Sequence, residues 1–191
     1  MIRSFLAVEV PEEQRAAVSG IIGELKRIPS GVKWVIPDQV HLTLKFFGSI
    51  SPETVEGISR TLTPIVAGIS PFPLSLEGLG GFPNLFRPRV IWLGIGGDTA
   101  ALKGLQQSAE KALGSIGIPK EDRPFRGHLT IGRNKNPKIN EELTGRLSQG
   151  IKSEGVPFSV KEVVLFRSDL KPSGSVYTRL KVFTLKNQPD L

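Results

Sequence analysis

The two histidines of the chain, His41 and His128, lie in nearly the same tetrapeptide, HLTL in the first half and HLTI in the second. The 191 residues include 21 Leu and 9 Thr. On this composition Leu-Thr follows a given residue about once in two hundred times, so its presence after both histidines is about a one-in-forty-thousand coincidence. Internal duplication or a shared chemical task explains the pattern better.

The first motif has the alternation of a half-buried β-strand. Alternate residues of a strand share a face, so His41, Thr43 and Lys45 are predicted to point the same way. The residues predicted to face the core are Leu42, Leu44 and Phe46.

The second motif predicts the same arrangement, with His128 and Thr130 together on one face. Two opposed imidazoles suit acid–base catalysis, because a neutral one accepts a proton from an attacking oxygen while a protonated one donates to a leaving oxygen. The threonine hydroxyls can donate to non-bridging phosphate oxygens. The pattern indicates metal-independent phosphodiester chemistry, and its symmetry leaves open which histidine is the acid.

The structural alternatives differ from residue to residue. A single histidine on a strand is more often structural than catalytic, but the duplicated context favours catalysis for both histidines. Each threonine alone is explained equally well as a good β-former or as a functional residue. Trp34 and Phe47 fit the core or a cleft wall better than base stacking. Tyr177 is equally well explained as a hairpin tyrosine or a substrate contact. We keep Lys45, Phe47 and Tyr177 as candidate substrate contacts.

The charge distribution indicates an anionic substrate. The net charge is +7 and the isoelectric point is near 9.9, which favours a polyanionic partner such as nucleic acid. His128 lies within a basic segment that contains only two acidic residues, Glu121 and Asp122. The basic residues of this segment are Lys120, Arg123, Arg126, Arg133, Lys135 and Lys138.

Arg133 is the candidate cation for the phosphate, although strict alternation places it on the face opposite to His128. A bulge at Gly132, or the end of the strand there, would turn its side chain toward the histidine. We therefore expect Arg133 to assist phosphate binding.

Composition excludes several classes of protein. The absence of cysteine removes disulfides, thiolate nucleophiles and cysteine metal sites. Two histidines without a compact carboxylate cluster argue against zinc, so no metal and no cofactor are expected. No apolar run approaches the length of a membrane span, and the first residues do not resemble a signal peptide. We expect a cytoplasmic protein that is a monomer.

The chain alternates between predicted strands and helices. Helices are expected after Pro11, Ser51, Asp98 and Asn140, and Pro64 is expected to kink or shorten the second of them. A loop is expected over residues 78–88, and a hairpin turn over residues 171–174. The predicted strands are residues 4–10, 32–36, 40–47, 72–77, 89–96, 127–132, 160–167 and 176–185.

The two halves repeat one order of elements. A helix start precedes each histidine by thirty residues, at Pro11 and at Asp98. We therefore predict one α/β (α+β) domain over residues 1–191, made of two pseudo-twofold lobes with one HLT motif each. Two antiparallel sheets are expected to line a central cleft, with the helices outside.

The sequence resembles the two-histidine phosphoesterase superfamily, and within it the RNA 2′,3′-cyclic phosphodiesterases, also called LigT-like 2′-5′ RNA ligases. The likeness covers nearly the whole chain. It departs at Gly127, where this family commonly has proline. The similar segments are IRSFLAVEV, WVIPDQVHLTLKFFG, GGFPNLFRPRVIWLG, FRGHLTIGR and SDLKPSGSVY.

The resemblance implies hydrolysis of a terminal 2′,3′-cyclic phosphate on RNA to a 2′-phosphomonoester, without a metal ion. It implies that His41 is the proton donor and His128 the proton acceptor. Thr43 and Thr130 would hold the phosphate with help from Arg133. It also implies a reverse reaction that joins tRNA halves through a 2′-5′ link.

Two other functions remain open from the sequence. A phosphodiesterase for small cyclic nucleotides or 2′-5′ oligonucleotides would use the same site and differ in the preferred length and linkage of its substrate. A non-catalytic RNA-binding module would show salt-sensitive binding without turnover, and both histidines would be dispensable. Paired imidazoles argue against such a module, because binding alone needs charge and stacking.

Overall fold

A computed structural model of the chain describes residues 1–135, 141–150, 157–172 and 174–186. Within them the chain forms nine strands, four α-helices and a short 3₁₀ helix over Pro37–Gln39. The strands are β1 (Ile2–Glu9), β2 (Lys33–Trp34), β3 (His41–Ile50), β4 (Phe72–Phe82), β5 (Val90–Gly97), β6 (His128–Arg133), β7 (Phe158–Val160), β8 (Glu162–Lys171) and β9 (Gly174–Thr184). The helices are α1 (Glu12–Lys26), α2 (Pro52–Ala67), α3 (Thr99–Gly114) and α4 (Glu141–Ser148).

The helix starts are close to those predicted. The Ser51 side chain accepts a hydrogen bond from the Thr54 amide, and Asp98 caps α3 by accepting from the Ala101 amide. Helix α2 is not shortened at Pro64 but continues to Ala67. Pro64 lies in the last turn of α2. Because few helical residues follow it, the loss of its amide donor disturbs little of the helix. Asn140 and Lys138 lie outside the described residues.

The strands differ more from the prediction. β2 is only two residues long, and β7 was not predicted. β4 continues through the first five residues of the expected loop, to Phe82. The register of β4 against β5 shifts between Glu77 and Leu79. Gly78 lies at this shift with a φ of +63°, so the strand absorbs an extra residue as a bulge and then resumes pairing.

The sheet confirms the mixed α/β class and refines its architecture. The strands form one nine-stranded sheet in the order β7-β4-β5-β6-β3-β1-β8-β9, with β2 paired to β6. The two expected sheets are therefore halves of one sheet, joined between β3 and β6. Leu42 and Leu129 are the Cα partners at this junction. They hold the same place in the two motifs, as an approximate twofold axis between the halves requires.

One face of the sheet packs against the helices. Leu42, Leu129 and Ile131 are fully buried there, in one core that includes side chains of all four helices. A smaller cluster lies on the other face and contains Phe5 and Phe166. No helix of the described residues is long and apolar enough to cross a membrane.

Candidate active site

Strand β3 presents His41 and Thr43 on the face opposite to the helices. Both are partly exposed, whereas Leu42 and Leu44 are buried, as the alternation predicts. The register against β1 then changes, because Thr43 pairs with Ala7 but Lys45 pairs with Leu6. Leu44 is thus an extra residue on β3, and the side chains after it change faces.

This bulge overturns the prediction for Lys45 and Phe46. Lys45 is only 4% exposed and faces the helical side, where its ammonium group donates to Glu110 Oε1 at 2.6 Å and to the Pro119 carbonyl at 2.9 Å. Phe46 is 57% exposed, with its ring 6.0 Å from that of Phe5. Phe47 packs against the main core. The structure thus places neither Lys45 nor Phe47 beside the histidines.

Strand β6 carries a bulge at the equivalent place. Thr130 pairs with Trp92, but Gly132 pairs with Ile91, so Ile131 is the extra residue. The predicted bulge therefore occurs one residue before Gly132. Gly132 faces the helical side, where a Cβ atom would lie 2.8 Å from Val32 and 3.1 Å from Trp34.

Arg133 follows Gly132 and points to the face of the sheet that carries the histidines. This agrees with the expectation that a bulge would turn its side chain toward His128. Its side chain is exposed, and its charge lowers the pKa of both His41 and His128. Both effects agree with a guanidinium group on the same face of the sheet as the histidines, where the register of β6 places Arg133. Phe46 occupies the matching position after Thr43, so the two halves of the site differ here in charge.

The two motifs adjoin across the sheet. In an antiparallel ladder the residues flanking a partner pair oppose each other. Because Leu42 and Leu129 are partners, His41 neighbours Thr130, and Thr43 neighbours His128. Each imidazole thus has a hydroxyl from the other half beside it.

Both imidazoles are oriented in the same way. His41 Nδ1 lies 2.8 Å from the Gln39 carbonyl oxygen, and His128 Nδ1 lies 2.7 Å from that of Arg126. A carbonyl oxygen only accepts, so Nδ1 carries the proton in each ring and Nε2 is left to exchange a proton with substrate. Gln39 is itself fixed by its side-chain amide, which donates to the Ser175 carbonyl of β9.

Aromatic rings hold the imidazoles in place. Phe5 stacks on His41 at 4.6 Å between centroids, and Tyr177 contacts the same ring edge-on at 5.2 Å. His128 has Phe82 at 5.1 Å and Trp92 at 6.2 Å. Of the three candidate substrate contacts, Tyr177 is the one that lies beside a histidine. Phe5, Phe82 and Trp92 were missed, although the alternation of β1 around Phe5 was a usable signal.

A pocket of about 160 Å³ opens beside His41. Its wall combines Phe5 and Tyr177 with the ion pair of Glu9 and Arg179 and with Arg15 and Asp38. An aromatic wall with mixed charges can accept a ribose and a base, which carry both flat apolar surface and hydrogen-bonding groups. In the described part of the chain, no three His, Asp or Glu side chains form a group that could hold a metal ion.

Burial lowers the pKa of His41 below its ordinary value, and the charges of Arg133 and His128 act in the same direction against the Gln39 hydrogen bond. Burial likewise lowers the pKa of His128, with Arg133 adding to the effect against the Arg126 hydrogen bond. Both imidazoles are therefore mainly neutral at pH 7 without substrate. A phosphate anion bound beside the imidazoles would raise the pKa of each and so favour the protonated form that a general acid needs.

These pKa shifts predict the pH dependence. Acid–base catalysis by the two imidazoles, as the sequence predicts it, needs one of them neutral and the other protonated, so kcat/KM should follow a bell with its maximum between the two apparent pKa values. Both lie below the ordinary value of 6.5. We expect the maximum of kcat/KM below pH 6.5 and that of kcat at higher pH, because the bound anion raises both values. Steady-state rates from about pH 4.5 to 9 bracket the histidine range and test this, and a kcat/KM maximum above 6.5 would contradict it.

The buried pair of Lys45 and Glu110 predicts a stability effect. Lys45→Met leaves the Glu110 carboxylate without its partner, and unfolding free energy should fall by about 3–5 kcal/mol. The double variant Lys45→Met/Glu110→Leu removes both charges and should recover most of the loss. Urea unfolding of the three proteins measures this. A single variant as stable as the parent would show that the pair is not buried in solution.

Two oriented imidazoles with paired hydroxyls, on one curled antiparallel sheet, define a two-histidine phosphoesterase. The sequence model of the 2′-5′ RNA ligase superfamily matches residues 15–172. The chain belongs to this superfamily.

Similar proteins agree with this assignment. The RNA 2′,3′-cyclic phosphodiesterase of Methanothermobacter thermautotrophicus is 36% identical over 96% of this chain and 99% of its own length. That of Archaeoglobus fulgidus is 35% identical over 95% and 99%. The crystal structure of the Thermus thermophilus protein TT0787 matches with a TM-score of 0.82 and 31% identity over 98% of this chain and all of that one. E. coli LigT complexed with 3′-AMP matches with a TM-score of 0.80 and 26% identity over 98% and 99%.

Proposed function

We propose that this protein is an RNA 2′,3′-cyclic phosphodiesterase that converts the cyclic end to a 2′-phosphomonoester without a metal ion. The observation that carries the proposal is the pair of imidazoles, each fixed through Nδ1 so that Nε2 can exchange a proton. The similarity to relatives that bear this name supports the choice of substrate.

In the proposed reaction His128 Nε2 accepts a proton from water, and the water oxygen forms a bond to phosphorus. The bond from phosphorus to the 3′ oxygen breaks, and protonated His41 gives its Nε2 proton to that oxygen. The 2′ oxygen stays bonded to phosphorus. The step leaves His128 protonated and His41 neutral, and proton exchange with solvent restores the starting state.

Charge stabilisation in this reaction comes from side chains on both strands. Thr43 and Thr130 donate hydrogen bonds to the non-bridging phosphate oxygens, and Arg133 offsets the charge that grows on them in the transition state. The nucleoside of the cyclic end occupies the pocket beside His41, since His41 protonates its 3′ oxygen. Tyr177 and Phe5 then contact the sugar and base.

The same groups can carry out the step with a second nucleophile, which gives a ligation. A 5′-hydroxyl in the place of water would give its proton to His128 and attack phosphorus, and departure of the 3′ oxygen would leave a 2′-5′ linkage. Ends of tRNA fragments are suitable partners for this ligation. We further propose that residues 1–191 act as one domain of two pseudo-symmetric lobes, as a monomer in the cytoplasm.

A short RNA with a 2′,3′-cyclic end, incubated with pure protein in EDTA, tests the proposal. Chromatography against 2′- and 3′-phosphate standards identifies the product, and the variant His41→Ala/His128→Ala is the control. A 2′-phosphate formed in EDTA is the expected result. A 3′-phosphate would reverse the regiochemistry, loss of turnover in EDTA would refute metal independence, and bound RNA without turnover would favour the non-catalytic module.

A further inference from the structure

A second cation lies beside Arg133 on the same face of the sheet. Arg133 is the Cα partner of Val90 on one side and of Lys33 on the other, and Val90 is the partner of Phe82. Directly opposed residues of antiparallel strands project from one face, with Cβ atoms about 5 Å apart. Lys33 and Arg133 therefore lie side by side. They end a row of four neighbouring residues across the sheet, and the first residue of this row, Phe82, contacts the ring of His128.

Within the described ranges of the chain, no carboxylate balances this pair of like charges. Neither Lys33 nor Arg133 forms an ion pair with any of the residues that the structure describes, and both are exposed. The segments that surround them, residues 28–37, 78–97 and 123–135, contain no Asp or Glu. Opposed like charges destabilise a sheet, and a bound anion would offset this cost.

The backbone of Lys33 is held firmly although its side chain is exposed. The next residue, Trp34, packs against the core and over Gly132, and the Val35 amide donates to the Ile131 carbonyl at 2.9 Å. The short strand β2 thus fixes the Lys33 Cα atom relative to the bulge that aims Arg133. The point from which the Lys33 side chain projects is therefore set by the same elements that aim Arg133.

We propose that Lys33 binds the phosphate on the 5′ side of the terminal nucleotide, next to the cyclic phosphate held by Arg133. This inference rests on the proposed function. Arg133 follows Thr130 on the histidine face of β6 and so is assigned to the reacting phosphate, whereas Lys33 lies one strand farther out, about 5 Å away. An RNA end offers a second phosphate there, and a cyclic mononucleotide with a 5′-hydroxyl does not. Lys33 is then a specificity residue that favours RNA ends over small cyclic nucleotides.

Two substrates that differ by one phosphate test this role. Both are the same nucleoside 2′,3′-cyclic phosphate, one with a 5′-hydroxyl and the other with a 5′-phosphate. Lys33→Ala should raise KM for the 5′-phosphorylated substrate by about ten- to a hundredfold, as loss of one hydrogen bond to a charged group predicts. Its kcat, and both constants for the 5′-hydroxyl substrate, should not change.

Controls separate this contact from a general effect of charge. Lys33→Arg should restore most of the affinity, since it keeps the positive charge. Lys103→Ala removes one exposed charge from α3, on the helical face of the sheet. It should change neither KM nor kcat for either substrate. For the 5′-phosphorylated substrate, KM should rise less steeply with salt in Lys33→Ala than in the parent protein, because one salt-screened contact between charges has been removed.

The other outcomes overturn the assignment in distinguishable ways. A fall in kcat on both substrates would place Lys33 at the reacting phosphate. Unchanged KM for the 5′-phosphorylated substrate would show that Lys33 does not contact it. If the parent protein turned over neither these substrates nor a cyclic-ended RNA, the proposed function itself would fail, and the role of Lys33 with it.

Discussion

Replacement of His41 or of His128 with alanine is expected to lower kcat by about a hundred- to ten-thousandfold, because each change removes one proton transfer from the transition state. Steady-state turnover of a cyclic-ended RNA at the pH optimum measures the effect. The double variant should lose much less than the product of the two single losses, since the pair acts as a unit.

The controls must separate chemistry from packing, because Phe5 stacks on His41 and Phe82 contacts His128. His41→Gln and His128→Gln keep much of the side-chain volume and should be as inactive as the alanine variants. Unfolding midpoints near that of the parent protein would exclude collapse of the site. Turnover within about fivefold of the parent in either alanine variant would refute the two-histidine mechanism, since a lost proton transfer costs far more than that.

A modified leaving group can assign the two roles, which the symmetry of the motifs does not. A cyclic substrate with sulfur in place of the 3′ oxygen releases a thiolate, which needs far less protonation than an alkoxide because thiols are the stronger acids, with a pKa of about 8.5 for cysteine. His41→Ala should then regain most of its activity, whereas His128→Ala should not. The opposite pattern would make His128 the acid.

Arg133→Ala is expected to lower kcat/KM by about a hundred- to a thousandfold, the usual effect of removing one charge-stabilising donor. The kcat/KM of Arg133→Lys should lie between those of the parent protein and Arg133→Ala, because lysine keeps the charge but lacks the planar pair of donors that fits phosphate. Arg60→Ala, which removes an exposed charge from α2, is the matched control.

A second readout of the same variant depends on electrostatics alone. The Arg133 charge lowers the pKa of both histidines. Its removal should therefore move both limbs of the kcat/KM profile to higher pH. Lost activity without this movement would indicate that Arg133 acts far from the imidazoles, and unchanged activity would remove it from the site.

The local chemistry of the site was predictable from the sequence because strand alternation is a property of the backbone. His41 and Thr43, and likewise His128 and Thr130, share a face once the segments are strands. Buried Leu42 and Leu129 confirm this. Helix caps were predictable for the same reason, since Ser51 and Asp98 bond to amides three residues away.

Tertiary pairing decided where that alternation stops. The bulges at Leu44 and Ile131 arise from the register of β3 against β1 and of β6 against β5. They turn Lys45 to Glu110, expose Phe46 and aim Arg133 at the histidines. A bulge depends on which strand lies alongside. Gly132 in the sequence therefore predicted a bulge near the end of the second motif but not its position, and nothing in the first motif indicated the bulge at Leu44.

The sequence by itself thus determined the two reactive tetrapeptides, their strands and the class of chemistry. Only the tertiary structure decided that the two halves share one sheet, joined at Leu42 and Leu129, that Phe5 and Trp92 lie against the histidines, and that Lys33 is paired with Arg133. Alternation along a strand is set by neighbouring residues. The neighbours across a sheet come from distant parts of the chain, and their choice depends on packing of the whole core.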